Sequence, residues 1–212
     1  IKRELDKSNI QSKFIRGLRV TDKKIINIVE SVLIDFNNDI VDSLKRFGTD
    51  AISIHTKKNN IIKVTPEAKE LGFVGIPEKI NNDLIEKILN QKQVPIVSPL
   101  GLGNDNHPYN INGDTAAGAI AKSLKSRRLL LMTNVEGVLD KDKKLINEIT
   151  STEVLKMVEN NIITEGMIPK INTCLDAVKN GVTAVGIIDG RKQHSILFEI
   201  FSDKGSGTLI RK

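Results

Sequence analysis

From about residue 94 onward the chain alternates short unbroken apolar runs with longer stretches whose apolar positions recur every three to four residues. VPIVSPLG (94–101), RRLLLMTNVEGVLD (127–140), which breaks into a polar turn at Thr133, and VTAVGIID (182–189) read as buried strands, and GTLIR (207–211) as a last one. Between them lie helical patterns at Thr115 to Leu124, Ser151 to Glu159, Lys170 to Asn180 closed by Gly181, and 194–203. Alternation of this kind predicts an α/β fold with a doubly wound, mostly parallel sheet.

The first half has a different texture. Ile1, Leu5 and Ile10 give Ile1 to Asn9 an amphipathic trace. Thr21 is the expected N-cap of a long helix, Asp22 to Phe47, ended by Gly48, with Asn37, Asn38 and Asp39 as a possible kink. Its stripe of Ile26, Val29, Leu33, Phe36, Ile40, Val41 and Leu44 suits a core, and a helix this long also suits a subunit interface. Ala51 to Thr56 and Ile61 to Thr65 alternate around KKNN (57–60) and read as a hairpin, which the segment 72–75 extends into a small flap. Glu78 to Asn90 is again helical in pattern.

Composition narrows the classes. A chain of 212 residues with 39% hydrophobic content supports one sizeable core, so a single domain over 1–212 is expected. No apolar run approaches the roughly 20 residues that span a bilayer, and no signal-peptide pattern opens the chain, so the expectation is a cytoplasmic protein with no membrane partner. Cys174, the single cysteine, reads as a buried space-filler. The net charge of +6 is spread along helices, and aromatics are only 3% of the residues, which argues against nucleic acid as a partner.

Two stretches carry candidate chemistry. In YNINGDTAAGAIAKSL (109–124), extended backbone puts Asn110 and Asn112 on one face with Asp114 next in line, and Asp114 stands where the following helix needs an N-cap. An Asn-rich loop with an Asp cap is the plainer reading of the same residues. In EGMIPKINTCLDAVKNG (165–181), Pro169 suits a first helical position and places Lys170 in the first turn, where an anion shared with the helix N-terminus would justify a cation. Carboxamides, a carboxylate and such a lysine, all expected at carboxyl ends of parallel strands, fit phosphoryl transfer, which needs charge stabilisation more than a base. The G-x-x-x-x-G-K-[ST] phosphate loop is absent.

FIRGLRVTD (14–22), ELGFVG (70–75), YNINGDTAAGAIA (109–121), MTNVEGVLD (132–140), EGMIPKINTCLDAV (165–178) and FSDKGSGTLI (201–210) resemble, in order, the pattern of the amino acid kinase family, on the branch acting on N-acetyl-L-glutamate. The resemblance implies a three-layer α/β/α sandwich, with 1–124 mainly the amino-acid side and 125–212 mainly the nucleotide side. It implies phosphorylation of the side-chain carboxylate of N-acetyl-L-glutamate by ATP with Mg2+, without a tightly bound cofactor or a metal site in the protein, as a step toward arginine. Arg19, Asn110 and Asn112 are the implied substrate contacts. Asp114 is implied to organise the catalytic lysines, and Lys170 to stabilise the transferring phosphoryl group. Thr133, Asn134 and Gly137 are implied in the nucleotide site, with Asn134 where the family pattern has Asp. His194, Glu199 and Gly207 resemble the L-arginine site of inhibited members, which assemble as a homodimer or a hexamer of dimers. The family's Lys-x-Gly-Gly strand end and Gly-Gly-Gly loop do not occur upstream of Ile1 to Ile10 in these 212 residues. The resemblance therefore implies absent first strands and a 212-residue chain that is inactive and poorly folded by itself. Family members with other substrates, and a silent arginine-binding module, are the alternatives.

Overall fold

The computed structural model describes residues 1–163, 167–202 and 205–212, and its contacts divide it into two units, 1–116 and 117–212. The first begins with α1 (Lys2–Lys7) and a two-stranded hairpin, β1 (Phe14–Ile15) and β2 (Leu18–Arg19). Its turn is Arg16-Gly17, both at positive φ, a geometry whose twist matches that of the strands. The long helix follows as α2 (Lys23–Arg46). Asp22 caps it, its carboxylate accepting from the Lys24 and Ile25 amides at 2.8 Å, so the expected cap at Thr21 moves by one residue. Asn37 does not kink it. That side chain is buried, donates to the Ile96 carbonyl at 2.8 Å and accepts from the Ser53 hydroxyl at 2.6 Å, which meets the hydrogen-bonding needs that burial imposes. Ile25 and Val29 pack with Leu5 and Leu100.

The elements that follow are β3 (Ala51–Ile54), β4 (Ile62–Pro66), a 3-10 turn (Lys69–Leu71), β5 (Gly75–Ile80), α3 (Asn82–Asn90), β6 (Val94–Val97), β7 (Leu100–Leu102) and β8 (Pro108–Asn110). The expected hairpin across 57–60 does not form. β3 is a largely buried strand and pairs parallel with β6, while β4 pairs antiparallel with β5 in a sheet of order β5-β4-β7-β8. His55 and Lys58 close a tight turn between them instead. β8 runs antiparallel to β7, contrary to the sequence expectation of a parallel strand, although Asn110 at its end makes a parallel bridge with Val74.

Helix α4 (Gly113–Ser123) leads to the second unit, built from β9 (Arg128–Thr133), β10 (Glu148–Thr150), α5 (Ser151–Glu159), α6 (Ile168–Lys179), β11 (Ala184–Asp189), α7 (Ser195–Phe201) and β12 (Gly207–Arg211). The sheet order is β10-β12-β11-β9, parallel except where β12 meets β11. Every residue of β11 is buried. Val185 and Ile187 share a cluster with Ile171, Cys174, Ala177 and Val178 of α6, and Cys174 is the buried filler expected. Gly186 points the other way, where an added Cβ would stand 3.3 Å from Glu199 Oε1 on α7. Helices therefore cover both faces of this sheet, as the α/β/α expectation requires. β9 stops at Thr133, where the sequence pattern places the break into a polar turn and Asn134, Glu136 and Gly137 follow the apolar run. Among the described residues no helix is long and apolar enough to cross a membrane.

Candidate active site

In the first unit, three motif segments are sewn together by their main chains. Thr21 N–H donates to the Leu71 carbonyl at 2.9 Å, and Phe73 N–H to the Thr21 carbonyl at 2.7 Å. Asn110 N–H then donates to the Phe73 carbonyl at 2.9 Å, so GLRVTD, ELGFVG and YNING lie side by side. Gly72 makes the contact possible. It has φ +66, and a Cβ there would fall 2.4 Å from the Thr21 carbonyl oxygen. Phe73 and Tyr109 pack with ring centroids 5.4 Å apart and planes tilted by 54°, and the Tyr109 hydroxyl donates to Asp105 at 3.2 Å. Burial, then the Asp105 carboxylate, pushes the Tyr109 phenol up, so it stays a donor.

Arg19 leaves the end of β2 half-buried, with its guanidinium 4.7 Å from the Phe14 ring centroid and hydrogen-bonded to the Ser12 hydroxyl. Stacking on one face leaves the planar edge of an arginine for a carboxylate. Asn110 is half-buried at the end of β8. Asn112 is exposed, and its carbonyl oxygen accepts from the Thr115 amide at 3.1 Å. Asn112 is thus the cap of α4. Asp114, expected there, lies inside the first turn, because the helix begins at Gly113. It still complements the positive end of the helix dipole.

The second unit holds a cleft of about 480 Å³ lined by residues 137–141, Lys143, Asn161, Ile162, Ile163 and Met167. Its walls combine Val138, Leu139, Ile162 and Ile163 with lysines and an aspartate, a mixture suited to a flat heterocycle with a charged tail. Gly137, named from the sequence, lines it, and Thr133 and Asn134 begin the same loop where β9 ends. Sequence reasoning missed the apolar walls, which come from two loops far apart in the chain. It also missed Asp189, a buried carboxylate ending β11 beside Thr133, which receives Arg191 Nε and Nη2 at 2.9 Å each. Hydrogen bonding to Arg191 pulls its pKa down to about 2. An acidic residue closing an all-apolar run before a Gly was the available signal.

Helix α6 begins at Ile168, one residue before Pro169, which places Lys170 in its first turn. Among the described residues, the N-cap Met167 makes no side-chain cap hydrogen bond and no acidic residue occupies the first turn, and the dipole at this end favours negative charge. The turn expected over 165–170 falls partly on residues 165 and 166, outside the described ones. Glu199 and Gly207 line a cleft of about 120 Å³ with Arg128, Glu148 and Gly205, and the Glu199 carboxylate accepts from the Ser206 amide at 2.9 Å. His194 opens α7 in a left-handed conformation and is not among the lining residues, so the structure brings together two of the three positions assigned to arginine.

The second unit is a helix-covered sheet whose strand β9 ends in a polar loop, and the first unit holds a segment cluster with an arginine and carboxamides; each suits an α/β protein that handles small anionic molecules. The chain belongs to the amino acid kinase family, whose model matches residues 1–189. Within that family it is similar to the acetylglutamate kinase of Pelagibacter ubique, with 56% identity over 204 residues, 96% of this chain and 71% of the relative. The acetylglutamate kinase of Clostridioides difficile is 46% identical over 217 residues, covering 100% of this chain and 76% of its own. A crystal structure of a Streptococcus mutans protein superposes with a TM-score of 0.84 at 31% identity, covering 99% of this chain and 81% of that one.

Proposed function

We propose that this kinase transfers the γ-phosphoryl group of ATP to the side-chain carboxylate of N-acetyl-L-glutamate, giving N-acetyl-L-glutamyl 5-phosphate and ADP, in arginine biosynthesis. The observation that carries the reading is the identity to acetylglutamate kinases along nearly the whole chain. The sewn motif segments support it from the structure. A carboxylate is ionised at neutral pH and needs no base: one carboxylate oxygen bonds to phosphorus as the bond to the β,γ-bridging oxygen breaks and ADP leaves. What the protein supplies is placement and positive charge. Arg19 pairs with a substrate carboxylate, Asn110 and Asn112 hydrogen-bond N-acetylglutamate, and Lys170 neutralises the transferring oxygens with the N-terminal amides of α6. Asp114 is the carboxylate that organises the catalytic lysines. The 137–141 loop receives the nucleotide, and Mg2+ enters on the triphosphate, which supplies its hard oxygen ligands.

Two features extend the reading. L-arginine occupies the Glu199 cleft as an end-product inhibitor, its guanidinium on a carboxylate already fixed by Ser206. A homodimer forms on α2, where Phe36 is 61% exposed.

The test is acyl phosphate trapped as hydroxamate by the complete gene product with Mg-ATP and N-acetylglutamate, glutamate or aspartate. Product is expected from N-acetylglutamate alone, and Lys170→Ala lowers its kcat about 10²- to 10³-fold, the usual cost of a preorganised charge at a developing anion. Equal turnover with glutamate or aspartate, or none with any of the three by folded protein, would refute the proposal.

A further inference from the structure

Two buried polar side chains that the reaction above does not use hold the loop of the nucleotide cleft. Thr208, on β12, is 1% exposed. Its hydroxyl accepts the Val138 amide at 2.8 Å and donates to the Ile146 carbonyl at 2.6 Å, joining the two arms of the loop that follows β9. Asp189, 3% exposed, folds the turn 189–192 around itself through the Arg191 side chain and the Arg191 amide, the latter at 3.0 Å. That turn then reaches across to the loop. Gly190 N–H donates to the Thr133 carbonyl at 2.8 Å, and Lys192 Nζ lies 3.0 Å from Glu136 Oε1. Residues 134–137 belong to no strand, so these ties do the work a sheet ladder does elsewhere. The fit is tight at Gly137, where φ is +147 and a Cβ would stand 2.5 Å from Thr208 Oγ1.

We infer that Thr208 and Asp189 are positioning residues for the nucleotide, holding Thr133–Val138 in the shape that lets Gly137 to Asp140 line the cleft, without touching the ligand themselves. This rests on the assignment of that cleft to the nucleoside triphosphate. Removing the Thr208 hydroxyl strands the buried Val138 N–H and the half-buried Ile146 carbonyl, which relax by moving the loop. Asp189 is anionic throughout the neutral range, so its grip does not depend on working pH.

The experiment measures binding of the ATP analogue AMP-PNP with Mg2+ to the full-length protein by calorimetry, with hydrogen exchange over 134–140 recorded in parallel. Thr208→Val keeps the side-chain shape and is expected to weaken binding about three- to ten-fold, the worth of one buried hydrogen bond, while Thr208→Ser restores it. KM for N-acetylglutamate stays unchanged in both. Protection of 134–140 by the analogue, together with wild-type affinity in Thr208→Val, would overturn the positioning role and leave the cleft assignment standing. No protection in the wild type, with binding observed, would remove the assignment and the inference together. If Thr208→Val does not fold, Asp189→Asn removes the charge that holds Arg191 and the turn 189–192. Faster exchange at 134–138 with weaker binding then supports the role, and unchanged exchange and binding overturn it.

Discussion

Asp189 and Arg19 show how differently two charged side chains can be used. Asp189 is structural, and its folded pKa lies at about 2 because Arg191 donates to it. The unfolded chain holds that proton up to the ordinary carboxylate value of about 3.9, so the folded form binds fewer protons in between. Its stabilisation is therefore complete above about pH 4 and is lost as pH falls toward 2. Thermal melts from pH 6 to 2 should show this acid-side slope, and Asp189→Asn should melt lower at pH 6 and lose part of it. The proposal gives Arg19 to the substrate carboxylate, so the expectation lies in kinetics. Arg19→Lys keeps the charge but not the two-pronged edge, and KM for N-acetylglutamate should rise about tenfold or more with a smaller change in KM for ATP. A KM change shared equally by both substrates would place Arg19 elsewhere. At this scale the residues proposed for the ligands were named because a motif carries each of them. Asp189 and Thr208 were not, since a carboxylate at a strand end and a threonine in GTLIR look ordinary until Arg191 and Val138 are seen against them.

Among elements, the strap between Thr21, Gly72 and Asn110 is the one that carries the proposed substrate contacts. Gly72→Ala would force a Cβ into the Thr21 carbonyl at a φ of +66, so the two segments must part. Strain of this kind costs about 1–3 kcal/mol, and the parting should also raise KM for N-acetylglutamate, with KM for ATP nearly unchanged. Steady-state kinetics beside a melting curve would check both halves of that statement. Periodicity located α2, α4, α5, α6 and β11 well, and the caps moved by a residue or two. Asn112 displaced Asp114, and Asp22 displaced Thr21, because each neighbouring Asx or Thr has the chemistry of a cap and only backbone direction chooses among them. Partners of strands were less legible. β3 looked like half of a hairpin with β4 and in fact pairs with β6, forty residues further on. Alternation records which faces are buried, and a parallel neighbour buries them as well as an antiparallel one does.

At the scale of the whole molecule, the open question is what covers α2. Phe36→Asp places a charge on its exposed face without entering the core. The proposal expects light scattering to report a dimer for the wild type and a monomer for this variant, with circular dichroism unchanged. A dimer in both would move the interface elsewhere. The α/β class, the order of the elements and the family membership all follow from local pattern and ordered motifs. These depend on neighbours within a few residues, or on residue types a reaction demands. Which strands pair, how Thr21 finds Gly72, and which loops wall the 480 Å³ cleft were decided by tertiary packing. Those choices join residues tens of positions apart, where the energy lies in burial and in satisfied main-chain groups that no local window contains.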